Sequence, residues 1–284
     1  MLTIDWKTAI HHALLVQIAE AVEPSAEYSP ENVAAIQALG YGFSQTLYGN
    51  ELATDFDPHL GETVTYGFLA ISPASGELVA ILRGTEAVWE WIHDSDFLMV
   101  SNPIHGGSGM TEDGFTAIYK SLRVGRDANS ATAAGSVGAH LHAGRARTVT
   151  VCGHSLGGAL ATFLALDIAL NTECRTPTVY TYASPRTGDH SFAGSFNATI
   201  PASYRIYGRT DLVPKLPPIL PLPYEHTNSP VELVPPMGAI KDSLACAHHL
   251  TTYLWLMGRQ AASNPYPVDA DCRGSSYPGL AIPG

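Results

Sequence analysis

Residues 148–158 read Thr148-Val149-Thr150-Val151-Cys152-Gly153-His154-Ser155-Leu156-Gly157-Gly158. The first five are β-branched or small and apolar, the pattern of a short buried strand. From Leu156 the chain stays apolar through residue 170, too long for a strand and long enough for a buried helix. Only Gly153, His154 and Ser155 lie between them, so the strand must turn sharply into the helix. The same texture recurs downstream. Residues 178–183 (TVYTYA) and 204–207 (YRIY) read as further strands. Upstream, residues 63–72 and 77–83 form two apolar runs joined at Ser75-Gly76, a hairpin signal. Phe115, Ile118, Tyr119 and Leu122 recur at helical spacing within residues 110–126. Strands alternating with helices predict an α/β fold with a mostly parallel central sheet flanked by helices.

The rest of the chain is assigned more coarsely. Ile10, Leu14 and Ile18 predict an amphipathic first helix. Residues 128–143, rich in Ala, Gly, Ser and His, receive no element. Residues 214–223 hold five prolines and read as a rigid loop. Residues 231–234 read as an edge strand and 241–257 as a last helix. The expected organisation is one α/β domain over residues 1–284, with an N-terminal helical segment (1–60) and a loop-like C-terminal tail (262–284).

Composition narrows the function. The 284 residues are 45% hydrophobic and 14% charged, enough apolar side chain for a large core. The net charge of −11 opposes binding to nucleic acid or to anionic membrane surfaces. An uncharged small-molecule partner is expected. No apolar run approaches the roughly 18 residues a membrane helix needs. The first 25 residues lack the clean apolar core of a signal peptide, broken as they are by His11, His12, Gln17 and Glu20. A soluble protein, cytoplasmic or secreted, is expected. Of the four cysteines, Cys152 lies inside a strand and reads as a buried thiol, whereas Cys246 and Cys272 are the better disulfide candidates. No spacing of Cys or His suggests a metal site, and no cofactor is expected.

Gly153-His154-Ser155-Leu156-Gly157 fits G-x-S-x-G. A strand before it and an apolar helix after it are the context in which such a serine is lifted above a sheet edge. The flanking glycines let neighbouring backbone pass closely. The helix aims its first N–H groups at any negative charge that develops there. Ser155 is therefore the candidate nucleophile. No lysine follows in the register of a phosphate-binding loop.

From residue 64 to about 255 the chain resembles the class 3 lipases, a family of filamentous-fungal lipases with plant and bacterial relatives, built on the α/β-hydrolase fold. Five blocks in order carry the resemblance. They are Arg83-Gly84-Thr85 followed by Trp91 and Asp94; Gly153 to Gly158; Tyr182-Ala183-Ser184-Pro185-Arg186-Thr187-Gly188 running into Phe192; Tyr204-Arg205-Ile206 leading to Asp211-Leu212-Val213-Pro214-Lys215-Leu216-Pro217; and His248 with Leu250, Tyr253 and Leu254. The resemblance implies a serine hydrolase with Ser155 as nucleophile, Asp211 as triad acid and His248 as base. It also implies an oxyanion hole at Thr85 and Leu156. The order Ser, Asp, His is that of the superfamily. A serine hydroxyl needs such a base, and the base a carboxylate to hold its tautomer. Among the other acids, Asp189 reads as a loop residue and Asp242 as a helix N-terminal charge. His249 adjoins His248 and is the rival base, the tyrosine spacing favouring His248. His154 is expected to point away from the chemistry.

In the family the segment after Arg-Gly-Thr can form a lid. Here it is residues 86–93, in which Val88, Trp91 and Ile92 share a helical face and Trp89 lies apart. Val88, Trp89 and Ile92 are the lid candidates, and Ile219, Leu220 and Leu222 candidate pocket residues. The implied activity is lipid degradation: hydrolysis of uncharged acyl esters by a triacylglycerol lipase or carboxylesterase, working transiently at a lipid–water interface. Two alternatives share the scaffold: a feruloyl or other aryl esterase, and a catalytically silent lipase-like binding protein.

Overall fold

The computed structural model describes residues 3–51, 62–85, 97–227, 229–263 and 266–278. Helices α1 (Trp6–Glu20) and α2 (Pro30–Ala38) lead into strands β1 (Gly42–Asn50), β2 (Thr63–Ile71) and β3 (Glu77–Leu82). Short strands β4 (Met99–Ser101) and β5 (Met110–Glu112) precede helices α3 (Asp113–Ser121) and α4 (Ala133–His142). Then come β6 (Thr148–His154), α5 (Leu156–Asn171), β7 (Thr178–Tyr182), β8 (Gly188–Asp189), α6 (His190–Thr199) and β9 (Ser203–Gly208). Strands β10 (Tyr224–Glu225) and β11 (Pro230–Leu233) and helices α7 (Leu244–His248) and α8 (Leu250–Gln260) complete the described elements.

The main sheet has seven strands in the order β1-β2-β3-β6-β7-β9-β11. The first two pairings are antiparallel. The other four are parallel. β4, β5, β8 and β10 form a separate small antiparallel sheet. The expected α/β architecture, a mostly parallel sheet flanked by helices, is what the chain adopts.

The alternation of side chains along the central strands builds a core on each face. Leu78, Ala80, Leu82, Val149 and Val151 point to the side of α3, α4 and α5. Val79, Ile81, Cys152, Tyr180 and Tyr182 point to the side of α1 and α8. Both faces are covered, which is why these strands read as unbroken apolar runs. α5 is buried almost all round, so it carries hydrophobic residues on every side.

Several boundaries differ from the reading of the sequence. The segment 1–60, expected to be helical, also contains β1, whose Ser44, Gln45 and Thr46 lack a simple apolar alternation because a bulge interrupts the pairing there. Residues 110–112 pair as β5, and the helix begins only after Glu112, whose carboxylate caps it at Phe115 N. Residues 133–142 form α4, capped by Thr132. The last helix is broken at His249, which is extended and serves as N-cap of α8. The tail is tied back by a Cys246–Cys272 disulfide, and Cys152 is a buried free thiol.

Gly157 is where α5 touches the sheet. A Cβ there would lie 2.4 Å from the Leu82 carbonyl oxygen and 2.5 Å from that of Arg83, both backbone atoms that cannot swing aside. A Cβ on Gly194 in α6 would meet nothing within 4 Å. Gly157→Ala is expected to destabilise the fold by about 2 kcal/mol or more through overpacking. Gly194→Ala should stabilise it by about 0.5 to 1 kcal/mol through lost unfolded-state entropy. Chemical denaturation of the two variants beside the parent checks both signs.

Candidate active site

The site is built at the carboxyl ends of β3, β6, β7 and β9. β6 ends at His154, and Ser155 follows with φ 56° and ψ −128°, outside the regions open to most residues. The turn holds because Ser155 N–H donates to the Tyr182 carbonyl of the neighbouring strand at 2.9 Å. It holds also because Gly153 leaves room for Gly157, whose carbonyl oxygen would lie 2.0 Å from a Cβ at position 153. Ser155 is the N-cap of α5, yet its hydroxyl makes no capping hydrogen bond. A serine in that position ordinarily spends its oxygen on a helix N–H. Here the strained turn directs it elsewhere.

It meets His248. Ser155 Oγ lies 2.8 Å from His248 Nε2, and His248 Nδ1 donates to Asp211 Oδ2 at 2.9 Å. Asp211 follows β9 and is fully buried. Its charge is compensated by two more donors. Tyr253 OH on α8 donates to Oδ2 at 2.7 Å, and Val213 N–H to Oδ1 at 3.0 Å. The tyrosine oxygen in turn accepts from Gly208 N–H at 2.8 Å. Burial pushes the His248 imidazole below its ordinary value, against the pull of the Asp211 carboxylate. A neutral imidazole with Nδ1–H held by Asp211 presents the Nε2 lone pair to Ser155, the arrangement needed to accept the hydroxyl proton. The rival, His249, is exposed and turned toward Thr251.

Ser155 and His248 line a cleft of about 370 Å³ with Gly84, Thr85, Gln17, Glu20, Ala21 and the turn at residues 249–251. Gly84 abuts the nucleophile turn: a Cβ there would lie 3.1 Å from Ser155 Cβ. Thr85, the next residue, lines the same cleft as Ser155. Leu156 opens α5, so its N–H has no acceptor within the helix. Arg83 is spent on structure, its guanidinium donating to the carbonyls of Gly84 and Val22.

Other candidates fall elsewhere. Val88, Trp89 and Ile92, with Trp91 and Asp94, lie outside the described residues. Ile219 and Leu220 are 60% and 76% exposed, and they and Leu222 do not line the cleft at Ser155. Arg186 pins the proline-rich loop by donating to the Lys215 and Pro217 carbonyls, which leaves the tip of the loop in solvent. Asp189 caps α6 at Phe192 N–H, and His226 donates to the Pro214 carbonyl. Among the described residues no cluster of His, Cys, Asp and Glu has the geometry of a metal site.

Two residues were missed. His154 does not point away: its ring centre is 4.7 Å from that of His248, and Nε2 donates to the His248 carbonyl at 2.9 Å. Its Nδ1 meets Glu20 Oε1 at 2.7 Å, across 134 positions of sequence. Glu20 had a signal, as an acid in the last turn of α1, where the helix dipole disfavours it.

A family model described as Lipase (class 3) matches residues 79–220. Phospholipase A1-II 7 of Oryza sativa subsp. indica is 28% identical over 72% of this chain and 59% of its own. The secreted mono- and diacylglycerol lipase 1 of Fusarium solani is 32% identical over 57% of this chain and 45% of its own. The chain spans about half the length of the curated relatives it matches. Among solved structures, the Rhizomucor miehei lipase in its propeptide complex superposes with a TM-score of 0.62 at 23% identity, over 83% of this chain and 69% of that one. Lip2 lipase of Yarrowia lipolytica superposes with a TM-score of 0.61 at 19% identity, over 86% of this chain and 82% of that one. These likenesses show the α/β-hydrolase fold.

Tyr253→Phe removes one of the donors to the fully buried Asp211 carboxylate. The variant should lose about 1 to 3 kcal/mol of stability at neutral pH, the cost of leaving part of a buried charge unsatisfied. Equilibrium denaturation measures it.

Proposed function

The chain belongs to the class 3 lipases, and from that premise we propose that it is a carboxylic ester hydrolase acting on uncharged acyl esters, glycerides foremost. The observation that carries the reading is the unbroken hydrogen-bond line from Ser155 through His248 to Asp211. Ser155 attacks the ester carbonyl as His248 takes its proton. The oxyanion is received by the N–H groups of Thr85 and Leu156, which face the charge as it develops. Asp211 stabilises the imidazolium so formed. His248 then protonates the leaving alcohol, and water releases the acid by the same steps in reverse roles. The residues present supply every group these steps require.

The chemistry of the cleft supports an uncharged substrate. Ala21, Leu250 and Thr251 stand on its walls, and Glu20, the one carboxylate among the described wall residues, is paired with His154. The expected lid residues Val88, Trp89 and Ile92 belong to the same proposal. No described helix is long and apolar enough to cross a membrane. The Cys246–Cys272 disulfide and the relatives named as secreted support action in an oxidising compartment.

Hydrolysis of p-nitrophenyl esters from C2 to C16, beside methyl ferulate and a phosphatidylcholine, tests the reading. Activity is expected on the acyl series, to fall by roughly 10⁴-fold or more in Ser155→Ala. Activity confined to the ferulate would identify an aryl esterase, and inactivity on every ester a binding protein. The pH profile gives a second check. His248 works as the neutral base, and burial lowers its ordinary value of 6.5. Activity should therefore persist as pH falls and fail only below about pH 6.5.

A further inference from the structure

His154 sits between a carboxylate and a carbonyl. The His248 carbonyl can only accept, so His154 Nε2 carries a proton. Its Nδ1 faces Glu20 Oε1, so one more proton lies in that contact. Burial works against the charged imidazole, but the Glu20 carboxylate outweighs it and carries His154 above its ordinary value. Burial likewise opposes the Glu20 charge, and His154 overcomes it to hold the carboxyl below the usual range. The proton therefore rests on the imidazole, and the two form an ion pair. The His154 side chain is 6% exposed and that of Glu20 28%, so the pair is little screened.

His248 on α7 presents its ring face to His154 at 4.7 Å, tilted by 33°. Tyr253 on α8 meets it edge-on at 6.0 Å. Asp211 acts on it from beyond His248, and His249 acts on Glu20. The positive end of the pair thus lies against the base, and the negative end is farther off on α1.

We propose that Glu20 and His154 are a positioning pair for His248: His154 holds the His248 main chain by its carbonyl, and its positive charge against the His248 ring keeps that ring neutral, and so competent as a base, down to lower pH. The claim rests on the reading of His248 as the base. The helix dipole makes the last turn of α1 an unfavourable place for a carboxylate, and the ion pair gives Glu20 a reason to be there. The charge is offset in part by its own counter-ion, so its effect on His248 is a moderate one.

The test is the pH dependence of kcat/KM on a p-nitrophenyl ester, for the parent protein, His154→Gln and Glu20→Gln. Glutamine at 154 can still donate to the His248 carbonyl but carries no charge. Its acid limb should move up by roughly 0.5 to 1 pH unit. Glu20→Gln leaves a buried imidazole without its carboxylate. His154 then gives up its proton, and the limb moves in the same direction. Thermal unfolding confirms that the variants fold, and either variant alone suffices if the other does not. A lower plateau with an unmoved acid limb is what a merely structural role would give, and it overturns the proposal, as does a downward shift in both variants. His248→Ala separates the two claims: if it retains activity, the reading of His248 as base has failed, whatever the limb does.

Discussion

The site depends on the contact of backbone with backbone where α5 crosses the ends of β3 and β6. Gly153 admits no side chain against the Gly157 carbonyl, and Gly157 admits none against the carbonyls of Leu82 and Arg83. This closeness forces the chain to pass from strand to helix within one residue. Ser155 takes up the resulting strain in its φ of 56°. The tight packing therefore does two things at once. It seals the core beneath α5, and it lifts one hydroxyl to the sheet edge with no helix N–H to satisfy.

His248 is the complementary half of the arrangement, and it is gripped from two sides. On one side stand Asp211, Tyr253 and Gly208, a relay of hydrogen bonds running from α8 to the end of β9. On the other stand His154 and Glu20, which bring α1 into the site. The break at His249 makes this possible. A continuous helix over 241–257 would have carried residue 248 in its middle. Division into α7 and α8 leaves His248 at a helix end, its side chain toward Ser155 and its carbonyl toward His154.

The parts legible in the sequence are those in which local pattern and tertiary role agree. The hairpin of β2 and β3, the strand–turn–helix at Ser155 and the alternation of later strands rest on short-range signals, and all were read. Cys246 and Cys272 were the better disulfide candidates, and the bond itself is seen only in the structure. What escaped was set by distant partners. Glu20 and His154 meet across 134 residues, and nothing near either announces the other. α4 is built mostly of Ala, Gly, Ser and His, with Val137 and Leu141 its only larger apolar residues, and is held by its Thr132 cap and by packing rather than by a strong apolar stripe. The apolar Ile219, Leu220 and Leu222 suggested a pocket, but composition cannot say which way a loop faces. Ile219 and Leu220 are exposed.

The topology of the sheet has a consequence in time as well as in space. β3 and β6 are neighbours, with Glu77 beside Thr148, yet the whole of β4, β5, α3 and α4 is spun out between them. Closing so long a loop is slow compared with forming a hairpin or a helix. Ser155 and His248 are 93 positions apart, and Asp211 lies 37 positions before His248. While the chain is still condensing, Ser155 is an ordinary hydroxyl with no base beside it. On the proposed mechanism, reactivity arrives only once the sheet has brought Ser155, Asp211 and His248 together.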